Sequence, residues 1–422
     1  MTIALERHMK KSEKHGNRNF WCMLLIPPLM IPPLMILPLM ITVADGQSIS
    51  FRSIVPGIGY AHVVSSDGPQ SIHVLKIQLD SQEERLPERR WTTGLGDGRV
   101  YGLSTTSSIA TDAAAALSAR PIAAINGDFF TIARGNFQGD PTGLQIVEGD
   151  VVSSSPKRSA VWFDPRGKPL MGLVESRFRV SYAEGAGEFL IGLNEPRGEG
   201  NAVLYTPSLA HNPRDKGKLD FSTRTTDGCE FLLEPCDGTK WYTFKVGMKY
   251  PARIATVREG GNSPLTKSSV VLSVGNKKRE QIPSLKPGDE LTIVMETVPD
   301  LTGVNTAIGG GELLVSDGEL IANPKSKDRH PRSIIGWNQE HLFLIVVDGR
   351  APKVAIGMTY LELGKLAIDF GCTEAINLDG GGSSTLWADG QVLNTPSDGI
   401  QRRVANALVL VEMNKNAQPE SP

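Results

Sequence analysis

A strand–helix–strand pattern near the carboxyl end of the sequence places the strongest constraint on the fold. Residues 341–347 form a continuous apolar run, which is typical of a strand buried on both faces. Thr359 and Glu362 form a capping box, which predicts a helix with an apolar stripe at Leu363, Leu366, Ala367 and Phe370. A second apolar strand follows at residues 375–378. Because this order is that of a βαβ unit, the sequence predicts two parallel strands joined by a right-handed crossover.

Each of the two strands ends at an Asp-Gly pair. Asp348 follows the first strand and Asp379 follows the second, so parallel strands would bring both carboxylates to one edge of a sheet. Asp128 follows a third short strand, residues 122–125, and is a candidate third carboxylate there. Carboxylates at one edge can share the acid, base and nucleophile roles of glycoside hydrolysis. The alternative is that Asp-Gly is only a turn pair, but two such pairs closing one βαβ unit favour a functional site.

Glycine-rich turns beside these aspartates are candidates for binding an anion. Consecutive glycines allow several backbone N–H groups to converge on one ligand, although a glycine run can also serve only tight packing. The candidate residues are Gly310 in the triplet 309–311, and Gly380, Gly381 and Ser383 in the turn that follows Asp379.

Arginine and asparagine side chains near the same segments extend the candidate binding site. Arg332 and Arg350 can each present a fork-shaped set of donors to a phosphodiester. Asn126 and Asn377 lie next to the predicted edge and can bind sugar hydroxyls, although Asn before a turn is common.

The overall charge excludes one class of partner. The chain has 44 Lys and Arg against 46 Asp and Glu, a formal net charge of −2. This balance argues against a nucleic-acid-binding protein. Arg402 and Arg403 are interpreted as surface charges.

Glycine and proline are frequent along the chain, with 44 and 28 residues among 422. They indicate many turns and therefore a sheet-rich fold. Alternation predicts a strand over 72–79, an Ala-rich segment predicts a helix over 109–119, and residues 140–164 predict hairpins. The polar residues 81–102 predict a surface loop, and short β-like runs predict a β-rich middle lobe at about residues 165–300. The expected fold class is α+β or mixed α/β, a sheet-rich, two-lobed fold with a βαβ unit in its C-terminal third.

The first 44 residues predict an export segment. Residues 1–19 are polar and basic, and residues 20–43 are apolar. The apolar run is long enough to span a bilayer, but its five prolines oppose a membrane helix. We therefore expect residues 1–44 to be a cleaved signal peptide and the mature protein to be periplasmic or extracellular. The alternatives are an uncleaved N-terminal anchor, the one case in which a membrane partner is expected, and a misassigned start codon.

The cysteines and the metal motifs give weaker predictions. Cys229 and Cys236 would suit a small-loop disulfide in an exported protein, unless both remain free thiols. Cys372 is expected to be a buried apolar residue. No zinc motif is found in the sequence, so no cofactor is required. The edge carboxylates could hold Ca²⁺, but no ligand spacing demands it.

Six segments carry a family resemblance. They are AINGDFF (124–130), NTAIGGGELLVSDGEL (305–320), RHPRSIIGW (329–337), VVDGR (346–350), GMTYLELGKLAIDFGCTEAINLDGGGSSTLW (357–387) and RRVANALVL (402–410). Together they resemble the phosphodiester glycosidase family, whose bacterial members are often labelled exopolysaccharide-biosynthesis proteins. The resemblance predicts a phosphodiester glycosidase-like domain over residues 45–411, followed by a polar tail at 412–422.

The resemblance implies hydrolysis of a sugar-1-phosphodiester at its glycosidic C–O bond. It also implies that Arg332 and Arg350 grip the phosphate with help from glycine amides. One of Asp348 and Asp379 would act as base or nucleophile, while the other orients or protonates. Asn126 and Asp128, in NGDFF, would belong to the same site. The expected partner is a carbohydrate phosphodiester, and which Asp takes which role stays open.

Two other functions fit the same edge. One is a non-catalytic envelope module that binds phosphorylated glycans. The other is a phosphodiesterase that cleaves the P–O bond. Release of a reducing sugar, and the position of oxygen from solvent in the products, distinguish these from a glycosidase.

Overall fold

The computed structural model describes residues 49–65, 68–79, 87–182, 187–209, 221–241, 243–323 and 325–414. All of them belong to one compact unit, Ile41–Pro422. The export segment at residues 1–44 and residues 415–422 of the polar tail lie outside the described residues. Within the described residues, none of the helices has the length and apolar character needed to cross a bilayer.

The strands and helices are numbered in chain order. The first strands are β1 (Arg52–Val55), β2 (Ile58–Ser65), β3 (Gln70–Gln78), β4 (Arg89–Leu95), β5 (Ala119–Asn126), β6 (Gln145–Val147), β7 (Asp150–Ser153), β8 (Pro156–Phe163) and β9 (Pro169–Ser176). The next are β10 (Arg179–Tyr182), β11 (Glu188–Leu190), β12 (Gly192–Leu193), β13 (Ala202–Tyr205), β14 (Phe221–Ser222), β15 (Cys229–Pro235), β16 (Lys249–Glu259), β17 (Pro264–Leu265), β18 (Val270–Val274), β19 (Glu290–Val294) and β20 (Thr297–Val298). The last are β21 (Thr306–Gly309), β22 (Leu313–Ser316), β23 (Glu319–Leu320), β24 (Arg332–Trp337), β25 (His341–Val347), β26 (Glu374–Asn377), β27 (Leu386–Ala388), β28 (Gln391–Val392) and β29 (Asn406–Met413). The helices are α1 (Thr106–Ala116), α2 (Asn276–Arg279) and α3 (Tyr360–Asp369).

The sheet-rich character of the fold is as predicted, but the α+β or mixed α/β label fits only loosely. Strands dominate the described residues, and α2 is a single turn of four residues. The described part of the chain is therefore mostly β.

The central sheet contains the predicted strand–helix–strand segment. Its strand order is β1-β2-β3-β25-β24-β26-β22-β23. β24 is antiparallel to both β25 and β26, so these two strands are parallel, as predicted. They are not neighbours, however, because β24 lies between them. β24 and β25 are consecutive in the chain and pair as a hairpin. β24 therefore occupies the place beside β25 where β26 would lie in a simple βαβ unit.

Both faces of β25 are buried, as its apolar run predicts. Leu342, Leu344 and Val346 pack in one core, which includes residues of β5, β27 and β29. Phe343 and Ile345 pack in another, which includes α3. The central sheet therefore lies between helix α3 and a second sheet.

Helix α3 follows the local rules that predicted it. The Thr359 hydroxyl accepts a hydrogen bond from the Glu362 amide, and the Glu362 carboxylate accepts one from the Thr359 amide, which completes the capping box. Its predicted stripe is buried against the central sheet: Leu363, Leu366, Ala367 and Phe370. Gly371, with φ of +83°, ends the helix in the left-handed conformation expected of a glycine there.

A five-stranded sheet, β28-β27-β5-β29-β4, packs beside the central sheet. The predicted loop at 81–102 is wrong over Arg89–Leu95, because β4 pairs along β29. Its glycine made the segment resemble a loop. A Cβ atom on Gly94 would lie against Ala113 of helix α1, so this glycine instead lets the helix approach the strand closely.

The middle of the chain is β-rich, as predicted. An eight-stranded sheet, β11-β10-β19-β16-β15-β18-β13-β12, shares a core with the six-stranded sheet β20-β9-β8-β21-β6-β7. The possible Cys229–Cys236 disulfide is not formed, since both are free thiols. Cys229 begins the extended strand β15 and Cys236 directly follows its last residue, which keeps them roughly 20 Å apart. Cys372 is buried, as expected.

Candidate functional site

The candidate site lies at one edge of the central sheet. β25 and β26 end at this edge, and β24 begins there between them. Arg332 is paired with Val347, and the Leu378 amide donates to the Ser333 carbonyl at 2.8 Å. The edge therefore brings together Asp348, Asp379 and the first residue of β24.

The loop after β5 is joined to the turn after β26 through Asn126. The Asn126 Nδ2 donates to the Asp379 carbonyl at 2.7 Å, and the Asp379 amide donates to the Gly127 carbonyl at 3.0 Å. The Asn126 Oδ1 accepts from the Ser333 hydroxyl at 2.7 Å and from the Thr385 amide at 3.0 Å. Both ends of this buried amide are occupied by protein groups, so Asn126 holds the two loops together and is not placed to bind a sugar hydroxyl.

Asp379 and Asp128 lie in different surroundings. Asp379 is half-buried, and its Oδ1 accepts from the Gly380 amide at 2.8 Å. Burial raises the pKa of Asp379, while Ser383, the Gly380 amide and Arg402 each lower it. Asp128 is 2% exposed, and burial raises its pKa to about 7, with Asp379 adding a smaller rise.

The Asp128 carboxylate is enclosed by backbone. Its Oδ1 accepts from the Phe129 amide at 2.7 Å, whereas its buried Oδ2 has no hydrogen-bond partner of ordinary geometry among the described residues. That oxygen lies against Gly143 and Gly309, where a side chain would displace it. Asp128 is therefore enclosed by the protein and almost fully shielded from solvent.

Asp348 is also buried, with 5% exposure, and both of its carboxylate oxygens are occupied. Oδ2 accepts from the Ser71 hydroxyl at 3.0 Å and from Nε2 of His73 at 3.0 Å. Oδ1 accepts from the Asn394 amide nitrogen at 3.1 Å and from the Thr395 backbone amide at 3.1 Å. Four donors from the described residues thus converge on this carboxylate.

Arg332 points into the protein at the start of β24. Its Nε donates to the Met358 carbonyl at 3.0 Å and its Nη2 donates to the Asp328 carbonyl at 3.1 Å. The guanidinium carbon lies 4.2 Å from the centre of the Tyr360 ring. Two of the three guanidinium nitrogens are therefore engaged with the backbone.

Arg350 instead lies at the surface, two residues beyond Asp348. Its backbone is in the left-handed region with φ of +63°, and its guanidinium lies against Gly381. Within the part of the chain that the structure describes, the guanidinium has no hydrogen bond or ion pair, although its charge helps to lower the pKa of His330. It is therefore available to an anion.

Arg402 is also part of this edge, although the sequence suggested only a surface charge. Its guanidinium pairs with the Asp398 carboxylate at 2.8 Å, and both groups lie where a side chain on Gly382 would begin. Its charge lowers the pKa of Asp379. Its membership of the RRVANALVL motif is the signal that could have indicated this position.

The glycine amides do not form the predicted anion nest. The Gly380 amide donates to Asp379, the Gly381 amide to the Pro331 carbonyl at 2.9 Å, and the Gly310 amide to the Ser159 carbonyl at 2.8 Å. The glycine turn, Gly380–Gly382, serves instead to leave room for the guanidinium groups packed against it.

The remaining predicted binding residues are buried beside these turns. The Asn377 Nδ2 donates to the Leu378 carbonyl at 2.6 Å, and its Oδ1 has no partner among the described residues. Ser383 is fully buried near Asp379. Neither side chain is open to solvent. Sequence reasoning missed His73, Ser71, Asn394 and Thr395 altogether, since no motif contained them.

Two further features of the described residues bear on ligand binding. They contain no group of three or more His, Cys, Asp or Glu side chains arranged to hold a metal ion. A cavity of about 600 Å³ lies at the opposite end of the central sheet, where Gln78 pairs with His341. It is lined by none of the candidate residues; its walls include Arg89, Trp91 and Phe163.

Comparison with known proteins identifies a related family over part of the chain. Residues 251–411 match the model of the phosphodiester glycosidase family. The match includes Arg332, Asp348, Arg350 and Asp379. The loop after β5, with Asn126 and Asp128, lies outside the matched residues, but its hydrogen bonds join it to the same edge.

The individual relatives either align over only a short segment of this chain or share a low sequence identity with it. The SPbeta prophage-derived uncharacterized protein YomE of Bacillus subtilis (strain 168) is 40% identical over 83 residues, which are 19% of this chain and 13% of that protein. A hypothetical protein from Synechocystis shares the fold with a TM-score of 0.66 and 19% identity, over 87% of this chain and 64% of its own. A Burkholderia pseudomallei protein named as a candidate for export has a TM-score of 0.60 and 19% identity, over 81% of this chain and 74% of its own. The family match over residues 251–411 confirms the resemblance to the phosphodiester glycosidase family that the motifs predicted.

Proposed function

We propose that this protein hydrolyses the glycosidic C–O bond of a sugar-1-phosphodiester. The family match over residues 251–411 supports a hydrolase of this type. We also propose that it acts on glycans outside the cytoplasm. The apolar segment at residues 20–43 and the name of the Burkholderia relative support that location.

One difference among the three candidate aspartates supports Asp379 as the reacting group. Asp128 is 2% exposed and Asp348 is 5% exposed, whereas Asp379 is half-buried at the sheet edge. A group must touch the substrate to take part in chemistry, so Asp379 is the carboxylate best placed to do so. Burial raises the pKa of Asp379, which makes it a stronger base than an exposed aspartate.

Hydrolysis of a sugar-1-phosphodiester needs a base to activate water and a positive charge beside the leaving phosphate, more than it needs a strong acid. Asp379 removes a proton from water as the water oxygen forms a bond to the anomeric carbon. The glycosidic C–O bond breaks, and the phosphate monoester leaves with the bonding electrons. Because the second pKa of such a phosphate is about 6, it needs little protonation as it leaves.

Arg350 is the proposed ligand of the departing phosphate. Its exposed guanidinium lies against Gly381, two residues after Asp379, and is not neutralised by an acidic side chain of the described chain. A fixed guanidinium stabilises the charge that develops on the leaving oxygen. Arg332 is not assigned this role, because two of its three guanidinium nitrogens already donate to backbone carbonyl groups.

The test is a panel of α- and β-linked hexose and N-acetylhexosamine 1-(p-nitrophenyl phosphate) diesters, incubated with the full chain in ¹⁸O-water. We expect free sugar with ¹⁸O at its anomeric carbon, together with unlabelled p-nitrophenyl phosphate. Label on phosphate would instead identify a P–O phosphodiesterase. Binding without any product would identify a glycan-binding module, and either result would overturn the proposal.

A further inference from the structure

We propose that Asp348 is a positioning residue, which holds Arg350 and residues 394–402 against the glycine turn through a network that includes His73. The inference rests on the proposed function for its kinetic test. The position of Arg350 against Gly381 can be tested separately, by structure determination, without any measurement of activity.

One direction of hydrogen bonding satisfies the shorter contacts of the network, while the Tyr60 hydroxyl also lies 3.4 Å from the Leu393 carbonyl. The Tyr60 hydroxyl lies 2.8 Å from Nδ1 of His73, and Nε2 of His73 lies 3.0 Å from Asp348. If the tyrosine donates to Nδ1, the neutral ring carries its proton on Nε2 and donates to the carboxylate. Ser71 also donates to Asp348 and can accept from Nε2 of His62, which is 3.0 Å away. Each of these contacts therefore has a donor and an acceptor.

Burial favours a single geometry for this network. His73, Ser71 and Asp348 are 4%, 6% and 5% exposed. The exposed His62 ring stacks on the His73 ring, with centroids 4.2 Å apart and planes 12° apart. A buried carboxylate that loses a donor keeps its desolvation cost, so the arrangement favours one geometry.

Asn394 and Thr395 extend the network to the other side of the site. The Asn394 side chain donates to Asp348 and to the Ser384 carbonyl at 3.1 Å, and it accepts from the Leu386 amide at 2.9 Å. The Thr395 amide also donates to Asp348. The chain then continues through Asp398 to Arg402, which packs against Gly382.

One carboxylate therefore connects three parts of the edge. It precedes Arg350 by two residues, it binds the start of the 394–402 segment, and through Asn394 it reaches the end of the turn that begins at Asp379. Removing its charge is expected to leave Asp379 in place while releasing Arg350 from Gly381.

The kinetic test is a double-mutant cycle with Asp348→Asn and Arg350→Ala, measured on the best diester of the panel and on the p-nitrophenyl glycoside of the same sugar. We expect Asp348→Asn to lower kcat/KM for the diester about 10-fold, because displaced Arg350 no longer stabilises the leaving phosphate. The glycoside, which has no phosphate, should be affected little. In the Arg350→Ala background, Asp348→Asn should cause almost no further loss of diester hydrolysis.

His73 supplies a second pair of variants in case Asp348→Asn does not fold. His73→Gln keeps a donor toward Asp348 and should resemble the wild type, whereas His73→Phe should resemble Asp348→Asn. Additive effects in the cycle would overturn the proposal. So would a large loss of kcat on both substrates in Asp348→Asn, since that would identify a reacting group.

The structural test does not depend on turnover. Crystal structures of the wild type and of His73→Phe are expected to show Arg350 against Gly381 in the first and displaced in the second. An unmoved Arg350 in the variant would overturn the positioning role, even if the enzyme is active. A displaced Arg350 in a protein that cleaves no diester would support the positioning role and count against the proposed function alone.

Discussion

Nη2 of Arg350 lies 2.7 Å from the position that a Cβ atom on Gly381 would occupy. Gly381 also has φ of +63°, a conformation that residues with a side chain rarely adopt. The glycine-rich motif is therefore explained at this position by two demands at once: the turn after Asp379 must be left-handed, and a guanidinium must pack directly on its backbone.

Gly381→Ala is expected to reduce kcat/KM for a sugar-1-phosphodiester by about 10-fold or more, because the added methyl group displaces Arg350 and strains the turn. Gly390→Ala is the matched control. Gly390 has φ of +85° but nothing within 4 Å of its added Cβ, so it carries the strain without the displaced arginine. Equal losses of activity in the two variants would count against a role for the Arg350 contact.

Asp379→Asn should lower kcat by about 10² or more, since the amide cannot accept the proton from water. The fold should survive, because Asn can still accept the Gly380 hydrogen bond. Steady-state kinetics on the best diester and circular dichroism measure the two effects. Asp389→Asn is the control, because Asp389 lies in a turn with φ of +44°, which Asn tolerates. Near wild-type turnover in Asp379→Asn would remove Asp379 from the proposed mechanism.

Asp128→Asn should change how stability depends on pH. The pKa of Asp128 is raised to about 7 in the folded protein, so the folded state retains a proton that the unfolded chain releases above about pH 4. Its contribution to the free energy of unfolding therefore falls as the pH rises from about 4 to 7. Asn has no such proton to lose.

The stability difference between Asp128→Asn and the wild type should accordingly shift in favour of the variant by about 2–4 kcal/mol between pH 4 and pH 8. Urea unfolding at several pH values measures it, and taking the difference removes the titration of all shared groups. A difference that stays constant with pH would show that burial does not raise the pKa of Asp128.

Arg332→Ala should destabilise the fold by about 2–4 kcal/mol, because it removes the hydrogen bonds to the Met358 and Asp328 carbonyl groups and the contact with Tyr360. Arg350→Ala, at the surface, should cost about 0.5 kcal/mol or less. Urea unfolding compares the two. If Arg332→Ala instead retains wild-type stability and loses only diester hydrolysis, Arg332 binds the phosphate as the resemblance implied.

Much of the local structure follows from the sequence. The apolar run predicted β25 with its observed limits, His341–Val347. The capping box and the apolar stripe predicted α3 and its buried face, because these signals depend on residues within one or two turns. The Asp-Gly pairs and the glycine turn also marked the segments that meet at the candidate site, since the ends of parallel strands share an edge.

The partners of each side chain were decided only by the tertiary structure. Nothing local to Asp348 indicates that its carboxylate accepts from His73, which is 275 residues earlier in the chain. Likewise, the register of β24 between β25 and β26 directs Arg332 toward Met358, while Arg350, on the neighbouring turn, remains exposed. Periodicity specifies which residues of a strand are buried, but the order of strands in a sheet depends on contacts between distant segments. That order determines which polar groups are satisfied within the protein and which are left for a ligand.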